Sequence, residues 1–331
     1  METQNETTAT EIILLGFVFE PILGIIVFLV FLIIYLVTVL GNALIIVLIC
    51  IDRHLQTPMY FFLSNLSAIE IFMTTSVVPK MLANLLSERK TISFAGCFTQ
   101  LYFYFFMGST EFILFAAMSF DRYVAICYPL RYPILMTGKV CVQMMIGSWI
   151  AGFFSVFLST VLKARLTYCR HNVINHFFCD SAPLLHLACQ DITLIELVDF
   201  LVSLIVLLGS FSFTATSYIY IISTIVKIPS AEGRKKAFGT CASHFTAVSM
   251  GYGISIFVYV RPSQSDSMSI NKVLAIFSGI LTPFLNPFIF SLRNEQMKEV
   301  LRDVLKKMIT LIKASLSQST YLKLHIALLQ M

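Results

Sequence analysis

The chain has 331 residues, of which 57% are hydrophobic and 12% are charged, and its formal net charge is +5. Soluble domains carry about 25% charged residues, so this composition excludes an ordinary soluble protein and favours one embedded in lipid. The first ten residues are polar and lack a basic start. We therefore expect no cleavable signal peptide, and the first hydrophobic segment should direct membrane insertion.

Seven segments are long enough to cross the hydrocarbon core, which needs about 20 mostly apolar residues. Two of them, 58–80 and 94–120, each contain one internal acid, Glu70 and Glu111 respectively. The other five contain no internal charge, and they lie between residues 20 and 52, 139 and 163, 199 and 227, 236 and 261, and 272 and 293. The pattern predicts an all-α membrane protein, a bundle of seven transmembrane helices.

We assign residues 21–293 to this bundle and residues 1–20 to an extracellular N-terminal tail. After the seventh segment, apolar residues recur at helical spacing between basic residues over 294–313. This spacing predicts a short amphipathic juxtamembrane helix that lies along the membrane surface. Residues 294–331 would then form that helix and a cytoplasmic tail.

The placement of basic residues predicts the orientation of the chain. With the N-terminus outside, fifteen of the 23 Lys and Arg residues fall on the inner side and eight on the outer side. Loops rich in Lys and Arg stay in the cytoplasm, so we expect a multi-pass plasma-membrane protein with an extracellular N-terminus. Asn5-Glu6-Thr7 is then a glycosylation sequon on the outer side.

Four cysteines also fall on the predicted outer side, where oxidising conditions favour disulfides. They are Cys97, Cys169, Cys179 and Cys189. Four cysteines allow three pairings, and the spacing alone does not choose among them.

Two acids lie within predicted membrane helices, Glu70 and Glu111. A charged side chain at the bilayer centre costs roughly 2.5–3.5 kcal/mol, so both should face the bundle interior. If they lie close together, either one keeps its proton or a cation sits between them. Sodium is the cation we consider, with Asn42 and Asn286 as neighbouring polar groups. The alternative is a protonated, hydrogen-bonded structural pair.

The triplet Asp121-Arg122-Tyr123 lies at the inner end of the third segment. Arg122 follows Glu111 by 11 residues, which is ~16 Å along a helix and nearly the same helical face. Arg122 could pair with Asp121 when the bundle is closed and with a partner's backbone when it opens. The alternative is that these charges only reach towards the membrane interface.

A small-ligand cavity is predicted in the outer half of the bundle, because aromatic residues there alternate with a few hydroxyls, as small-molecule sites tend to have. The absence of an acid in the outer half of the third helix argues against a cationic amine as ligand. For each residue taken alone, plain helix packing is the alternative. The candidate lining residues are Tyr104, Phe105, Gly108, Ser109, Phe112, Ser203, Val206, Leu207, Tyr252, Ser255, Ile256 and Tyr259.

Five motifs occur in order over residues 10–310. They are Gly41-Asn42, TPMYFFLSNLS at 57–67, MSFDRYVAICYPLRY at 118–132, KAFGTCASH at 236–244 and PFLNPFIFSLRN at 283–294. Together they resemble the olfactory receptors, within the rhodopsin-like G-protein-coupled receptor family. The resemblance covers nearly the whole chain.

The resemblance implies a receptor, not an enzyme, that binds a small, weakly polar odorant within the bundle and activates a stimulatory olfactory G protein that raises cyclic AMP. It implies two disulfides, Cys97–Cys179 and Cys169–Cys189. It also implies that certain residues act in coupling or activation, namely Asp121, Arg122, Tyr123, Tyr218, His244, Tyr252, Asn286 and Pro287.

Several positions depart from the family pattern. Glu70 replaces the usual Asp, Ser119-Phe120 replaces Ala-Tyr, Gly239 replaces a Ser and Phe290 replaces a Tyr. Each change could lower coupling without changing the fold. Two alternatives therefore stay open: a receptor-fold protein with weak or no odorant signalling, and an ion-coupled transporter or channel that uses Glu70 and Glu111.

Overall fold

The computed structural model describes residues 11–17, 19–168, 172–259, 268–292, 296–304, 306 and 310. Long helices dominate this part of the chain. Six are continuous: α1 (Pro21–Ile51), α2 (Pro58–Leu86), α3 (Phe94–Cys127), α5 (Gly138–Ala164), α7 (Thr193–Val226) and α8 (Ala231–Tyr259). The seventh consists of α9 (Met268–Ile276), a π-helical turn (Phe277–Leu281) and α10 (Thr282–Leu292).

Short elements connect the long helices. They are a 3-10 turn (Arg53–Leu55), the helices α4 (Tyr132–Leu135) and α6 (Ser181–Leu185), and the strands β1 (Glu11–Leu14), β2 (Thr91–Ser93) and β3 (Val173–Ile174). The strands lie at one end of the bundle, which we call the sheet end. Asp121 and Arg122 lie near the other end of α3, and we call that end of the bundle the Asp121 end.

The bundle agrees with the predicted spans. Among the described residues, six helical stretches are long and apolar enough to cross a membrane. The remaining long helix, α8, has 29 residues but begins with several charged residues, including Glu232 and Arg234. It nevertheless packs against α3, α7 and α10. The predicted all-α seven-helix fold is therefore confirmed.

Helix α3 lies at the centre of the bundle and contacts α2, α5, α7 and α8. The Ser93 hydroxyl caps its start by accepting a hydrogen bond from the Gly96 amide at 3.1 Å. Its closest approach to α5 depends on Gly152, because a Cβ atom there would lie 2.1 Å from the Thr110 hydroxyl oxygen. Small residues at such contacts let membrane helices pack backbone to backbone.

The π-helical turn in the last span also brings a backbone close to α3. A Cβ atom on Gly279 would lie 2.9 Å from the Tyr104 hydroxyl oxygen. Gly279 is itself buried. Extra residues in a helical turn often mark functional positions, and this one places the chain beside the predicted ligand site.

A three-stranded sheet covers the sheet end. Strand β1 pairs with β2 in antiparallel fashion and with β3 in parallel fashion, with Ile12 opposite Ile92 and Ile13 opposite Val173. Because strand side chains alternate between faces, Ile12 and Leu14 are both buried. No pattern in the first 20 residues predicted this strand.

Covalent bonds reinforce the sheet end. Cys97, near the start of α3, forms a disulfide with Cys179. The Gln100 side chain supports this contact by accepting a hydrogen bond from the Cys179 amide at 3.0 Å. Cys189 is also disulfide-bonded, and its predicted partner Cys169 lies outside the described residues.

Part of the predicted juxtamembrane helix is described. Residues 296–304 are helical, and Met297 and Val300 are buried. The Tyr60 hydroxyl of α2 donates a hydrogen bond to the Gln296 side chain at 3.0 Å. Most of residues 305–331 and the Asn5 sequon lie outside the described residues.

Candidate functional site

One face of α3 is only partly covered by neighbouring residues. Phe105, Gly108, Ser109 and Phe112 recur at helical spacing and are only half-buried. A Cβ atom built on Gly108 would meet no atom within 4 Å beyond its own helical turn. Phe112 contacts Tyr252 of α8, with ring centroids 5.2 Å apart, so this face points towards α8. Gly108 therefore has open space beside it on this face of α3.

Tyr252 closes this space on the side of the Asp121 end. The residue is 2% exposed, and its ring also contacts Phe211 of α7 at 5.4 Å. Its hydroxyl donates a hydrogen bond to the Phe112 carbonyl at 3.2 Å and lies 3.5 Å from the Thr214 hydroxyl. Tyr252 therefore ties α8 to both α3 and α7.

Aromatic rings close the space on the side of the sheet end. The Tyr104 ring lies 4.8 Å from that of Phe178 and 5.3 Å from that of Phe105. Phe178 belongs to residues 175–181, a segment after β3 that we call the roof. The disulfided Cys179 is its next residue, so the roof is anchored to α3 where it covers Tyr104.

The other predicted lining residues lie on the neighbouring helices. Helix α7 packs against α3 and α8, and it carries the half-buried Ser203 and Val206 and the buried Leu207. On α8, Ser255 is buried and Ile256 is half-buried. The Tyr259 side chain lies outside the described part of the structure.

A second polar site lies around the two membrane acids, both of which are buried. The Asn286 amide donates a hydrogen bond to one Glu70 carboxylate oxygen, and Glu111 interacts electrostatically with Glu70. Asn42 donates to the Thr38 and Pro283 carbonyls at 3.1 and 3.3 Å. The fold therefore brings Glu70 near Glu111, Asn286 and Asn42, the condition under which the sequence indicates a shared proton or cation.

Three buried oxygen atoms on this side of the bundle have no hydrogen-bond partner among the described residues. They belong to Glu70 (Oε2), Thr74 (Oγ1) and Asn286 (Oδ1). Unsatisfied buried oxygens are suited to accept a hydrogen bond or to coordinate a hard cation, since such cations prefer oxygen ligands, and the Glu70 carboxylate can also take up a proton. Within the described ranges, no cluster of three His, Cys, Asp or Glu residues could hold a metal ion.

At the Asp121 end, Asp121 and Arg122 form a buried ion pair. The Arg122 Nε donates to an Asp121 carboxylate oxygen at 2.9 Å, and Nη2 donates to the same oxygen. The Tyr132 hydroxyl of α4 donates to the other oxygen at 2.8 Å. Burial and the Asp121 carboxylate raise the pKa of Tyr132 above its usual value. This is the closed pairing expected from the sequence.

Helices α7 and α8 are joined near the same end by one polar contact. The Tyr218 hydroxyl lies 2.6 Å from His244 Nδ1, and both residues are buried. His244 also lies close to Arg122, with which it interacts electrostatically. The remaining member of the triplet, Tyr123, makes ring contacts with Tyr128 and Tyr220.

Two important residues of these sites carried no separate chemical signal in the sequence. Tyr132 was visible only as the last residue of the motif at 118–132, and its bond to Asp121 depends on the fold of α4. Phe178 was visible only as the neighbour of Cys179, and its contact with Tyr104 depends on the disulfide that holds the roof.

Comparison with known proteins identifies the family. A family model described as "Olfactory receptor" matches residues 31–309. Human olfactory receptor 6J1 is 53% identical over 301 residues, which cover 91% of this chain and 87% of that protein. Mouse olfactory receptor 6E1 is 48% identical over 304 residues, which cover 92% of this chain and 97% of that protein. This family consists of multi-pass membrane receptors, not enzymes, and the chain belongs to the olfactory receptor family.

Proposed function

We propose that this chain is an odorant receptor of the plasma membrane, with its sheet end outside the cell and its Asp121 end in the cytoplasm. A small, weakly polar molecule would bind in the space beside α3 and shift the bundle towards a state that activates a stimulatory G protein and raises cyclic AMP. The observation that carries this proposal is that a Cβ atom on Gly108 would meet no other atom within 4 Å, on a helix whose Tyr104 contacts Phe178 and whose Phe112 contacts Tyr252.

The surroundings of this space favour an uncharged ligand. Its predicted walls are aromatic and aliphatic, and Ser109 and Ser203 supply hydroxyl groups. The nearest acid along α3, Glu111, is buried and interacts with Glu70. A cationic ligand would therefore find no free carboxylate on the α3 wall, whereas an alcohol, aldehyde, ketone or ester would find hydrogen-bonding partners.

A physical route connects this space with the Asp121 end. Tyr252 and His244 lie eight residues apart on α8, which is ~12 Å along the helix axis. The Phe115 ring of α3 lies between them, 6.0 Å from the Tyr252 ring and 6.4 Å from the His244 ring. A ligand that displaces Tyr252 would therefore move the part of α8 that holds Tyr218.

Activation would then release Arg122. In the closed state its charge is paired with Asp121 and the pair is buried. A bundle that opens at this end would let Arg122 exchange Asp121 for carbonyl groups of the G protein. The ligand shifts this equilibrium only to the extent that it binds the open state more tightly.

Sodium binding to the acid pair is part of the same proposal. Glu70 and Glu111 supply the negative charge, and the unpartnered oxygens of Glu70 and Asn286 supply coordinating atoms. A bound cation would stabilise the closed bundle by offsetting the repulsion between the carboxylates. Glu70 is one methylene longer than the usual Asp, so we expect weak binding.

The test is a panel of short-chain alcohols, aldehydes, ketones and esters, read out as cyclic AMP in cells that co-express the olfactory G protein. We expect a subset to give a response, and Gly108→Val should abolish it or shift it to smaller ligands. Gly147→Val is the matched control, because Gly147 also has open space around it but is exposed on α5. An undiminished response of Gly108→Val would contradict the assigned site.

The second candidate function is a protein with the receptor fold but with weak odorant signalling, and the side chain at position 290 favours it. Phe290 replaces the family Tyr and is 2% exposed, so a buried hydroxyl that could exchange partners during activation is missing. A Phe290→Tyr variant that responds to the panel where the natural chain does not would favour this second candidate.

A further inference from the structure

A polar cluster outside the sites described above joins three helices at the sheet end. Asp199 of α7 is its centre. The Lys163 ammonium of α5 lies 2.7 and 3.0 Å from the two carboxylate oxygens. The Ser181 hydroxyl of α6 donates to one of these oxygens at 2.7 Å. The Ser159 hydroxyl of α5 donates to the other and accepts from Lys163 at 2.7 Å.

We call these four residues the latch. Lys163 is 3% exposed and Ser159 is 4% exposed, so the ammonium is almost completely removed from water. A buried charge is costly unless it is paired and hydrogen-bonded, and the Asp199 carboxylate supplies both interactions to Lys163. The carboxylate also accepts the hydrogen bond from Ser181, which belongs to the roof and not to the membrane bundle. The ion pair therefore provides a rigid acceptor for a loop residue.

The roof is held at several places, including the Lys272 contact with Asn175 and the backbone hydrogen bond from the Gly16 amide to the His176 carbonyl. Cys179 attaches it to α3 through the disulfide, and two residues later Ser181 attaches it to α7 through the latch. Phe178, directly before Cys179, covers Tyr104 next to the ligand space. The Ser181 contact joins the roof to α7, so the latch restricts movement of the Ser181 end of the roof relative to that helix.

Asp199 also shares a helical face with two residues of the predicted ligand site. Ser203 and Val206 follow it by four and seven residues, so the three side chains lie on one side of α7. A movement of α7 that accommodates a ligand would therefore act directly on the residue that holds the roof.

We propose that Asp199 is a positioning residue that, with Lys163, holds Ser181 and thereby keeps the roof closed over the ligand space. The latch sets how long an odorant is retained. The effect on odorant retention rests on the proposed odorant function, but the contact between the roof and Asp199 can be measured without any ligand.

The decisive variant is Ser181→Ala. It removes only the hydrogen bond from the roof to Asp199 and leaves the buried ion pair of Lys163 and Asp199 intact. Ser181→Thr keeps the hydroxyl and should restore the contact. Thr193→Ala is the matched control, because the Thr193 hydroxyl also donates to a carboxylate, that of Asp191 at 2.6 Å, but in an exposed turn that does not touch the roof.

The first measurement is hydrogen exchange of the purified full-length receptor in lipid nanodiscs, without ligand. In Ser181→Ala, amides of residues 175–185 should exchange faster, while those of the α3 start should not change. Ser181→Thr and Thr193→Ala should behave like the natural chain. Unchanged exchange in the roof of Ser181→Ala would overturn the latch.

The second measurement is the concentration of a responding alcohol, aldehyde or ester that gives half-maximal cyclic AMP. A hydrogen bond to a charged group supports a rise of about tenfold in Ser181→Ala, equivalent to about 1.4 kcal/mol. Basal and maximal cyclic AMP should stay the same, which loss of folded receptor would not allow. Faster roof exchange with an unchanged half-maximal concentration would overturn the role in ligand retention.

The outcomes separate this inference from the proposed function. If no member of the panel activates the natural chain, the odorant proposal fails, and the exchange data still decide whether the latch exists. Asp199→Asn provides a harsher test, since it removes the carboxylate that pairs with the buried Lys163 at hydrogen-bonding distance. We expect it to loosen the roof more than Ser181→Ala and to lower surface expression.

Discussion

The two ends of the bundle are held together by different kinds of bond. The sheet end has a disulfide, a backbone-paired sheet and Lys272, which donates to the Gly16 carbonyl at 2.8 Å and to the Asn175 side chain at 2.7 Å. At the Asp121 end, the contacts that join separate elements include side-chain pairs such as Tyr132 with Asp121 and Tyr218 with His244.

This difference indicates which end can change. A disulfide and a sheet must be broken to be rearranged, whereas a guanidinium or a phenol can exchange one acceptor for another at small net cost. We therefore expect the sheet end to act as a fixed frame and the Asp121 end to act as the switch. The predictions below test this division, from the largest expected effect to the smallest.

Removing the disulfide should have the largest effect. Cys97 and Cys179 are 82 residues apart in sequence, and loss of a disulfide that closes such a loop typically costs about 2–5 kcal/mol. We expect Cys97→Ser to lose most of its surface receptor, measured by labelling of an N-terminal epitope tag. Cys50→Ser, at an exposed free cysteine, is the control. Normal surface levels of Cys97→Ser would show that the frame does not depend on this bond.

Arg122→Ala should leave the frame intact and abolish signalling. We expect at least a tenfold loss of agonist-stimulated cyclic AMP at equal surface expression, because the buried guanidinium is the group released on activation in our proposal. Arg131→Ala, an exposed residue near the same end, should have little effect. Full signalling by Arg122→Ala would reject its role in coupling.

The frame should weaken in acid because of His176. Burial, assisted by the charge of Lys272, lowers the pKa of His176 to about 3. An unfolded histidine has a pKa of about 6.5, so the folded state disfavours the proton. The stability contributed by neutral His176 is complete above pH 6.5 and is lost as pH falls towards 3. By pH 5 this loss lowers the free energy of unfolding by about 2 kcal/mol.

The measurement is the thermal unfolding of purified receptor between pH 7.5 and pH 5. His176→Gln should flatten the pH dependence, whatever its absolute stability, and His186→Gln, at an exposed position of the same loop, should retain it. An equal pH dependence in the natural chain and in His176→Gln would contradict this assignment.

Tyr218→Phe should have the smallest effect. It removes one hydrogen bond, to His244 Nδ1, and such a bond contributes about 1 kcal/mol. If this bond favours the closed state, basal cyclic AMP should rise by a few fold without loss of surface receptor. Tyr220→Phe, at an exposed tyrosine on the same helix, is the control. Unchanged basal signalling would show that the bond does not hold α7 and α8 closed.

The amino-acid sequence by itself determined the bundle and the family. Charged residues mark the ends of the apolar segments: α1 begins directly after Glu20 and ends directly before Asp52. Such boundaries are local, because the length of an apolar segment and the cost of a charge in lipid do not depend on the rest of the fold. The motif at 118–132 was equally local and identified the Asp121 end.

Tertiary structure alone decided how the sheet end is built. Strand β1 has four residues, and its partners β2 and β3 lie about 80 and 160 residues further along the chain. The latch likewise joins Lys163, Ser181 and Asp199 from three separate elements. No local pattern encodes such contacts, because each depends on which segments the packed helices bring together.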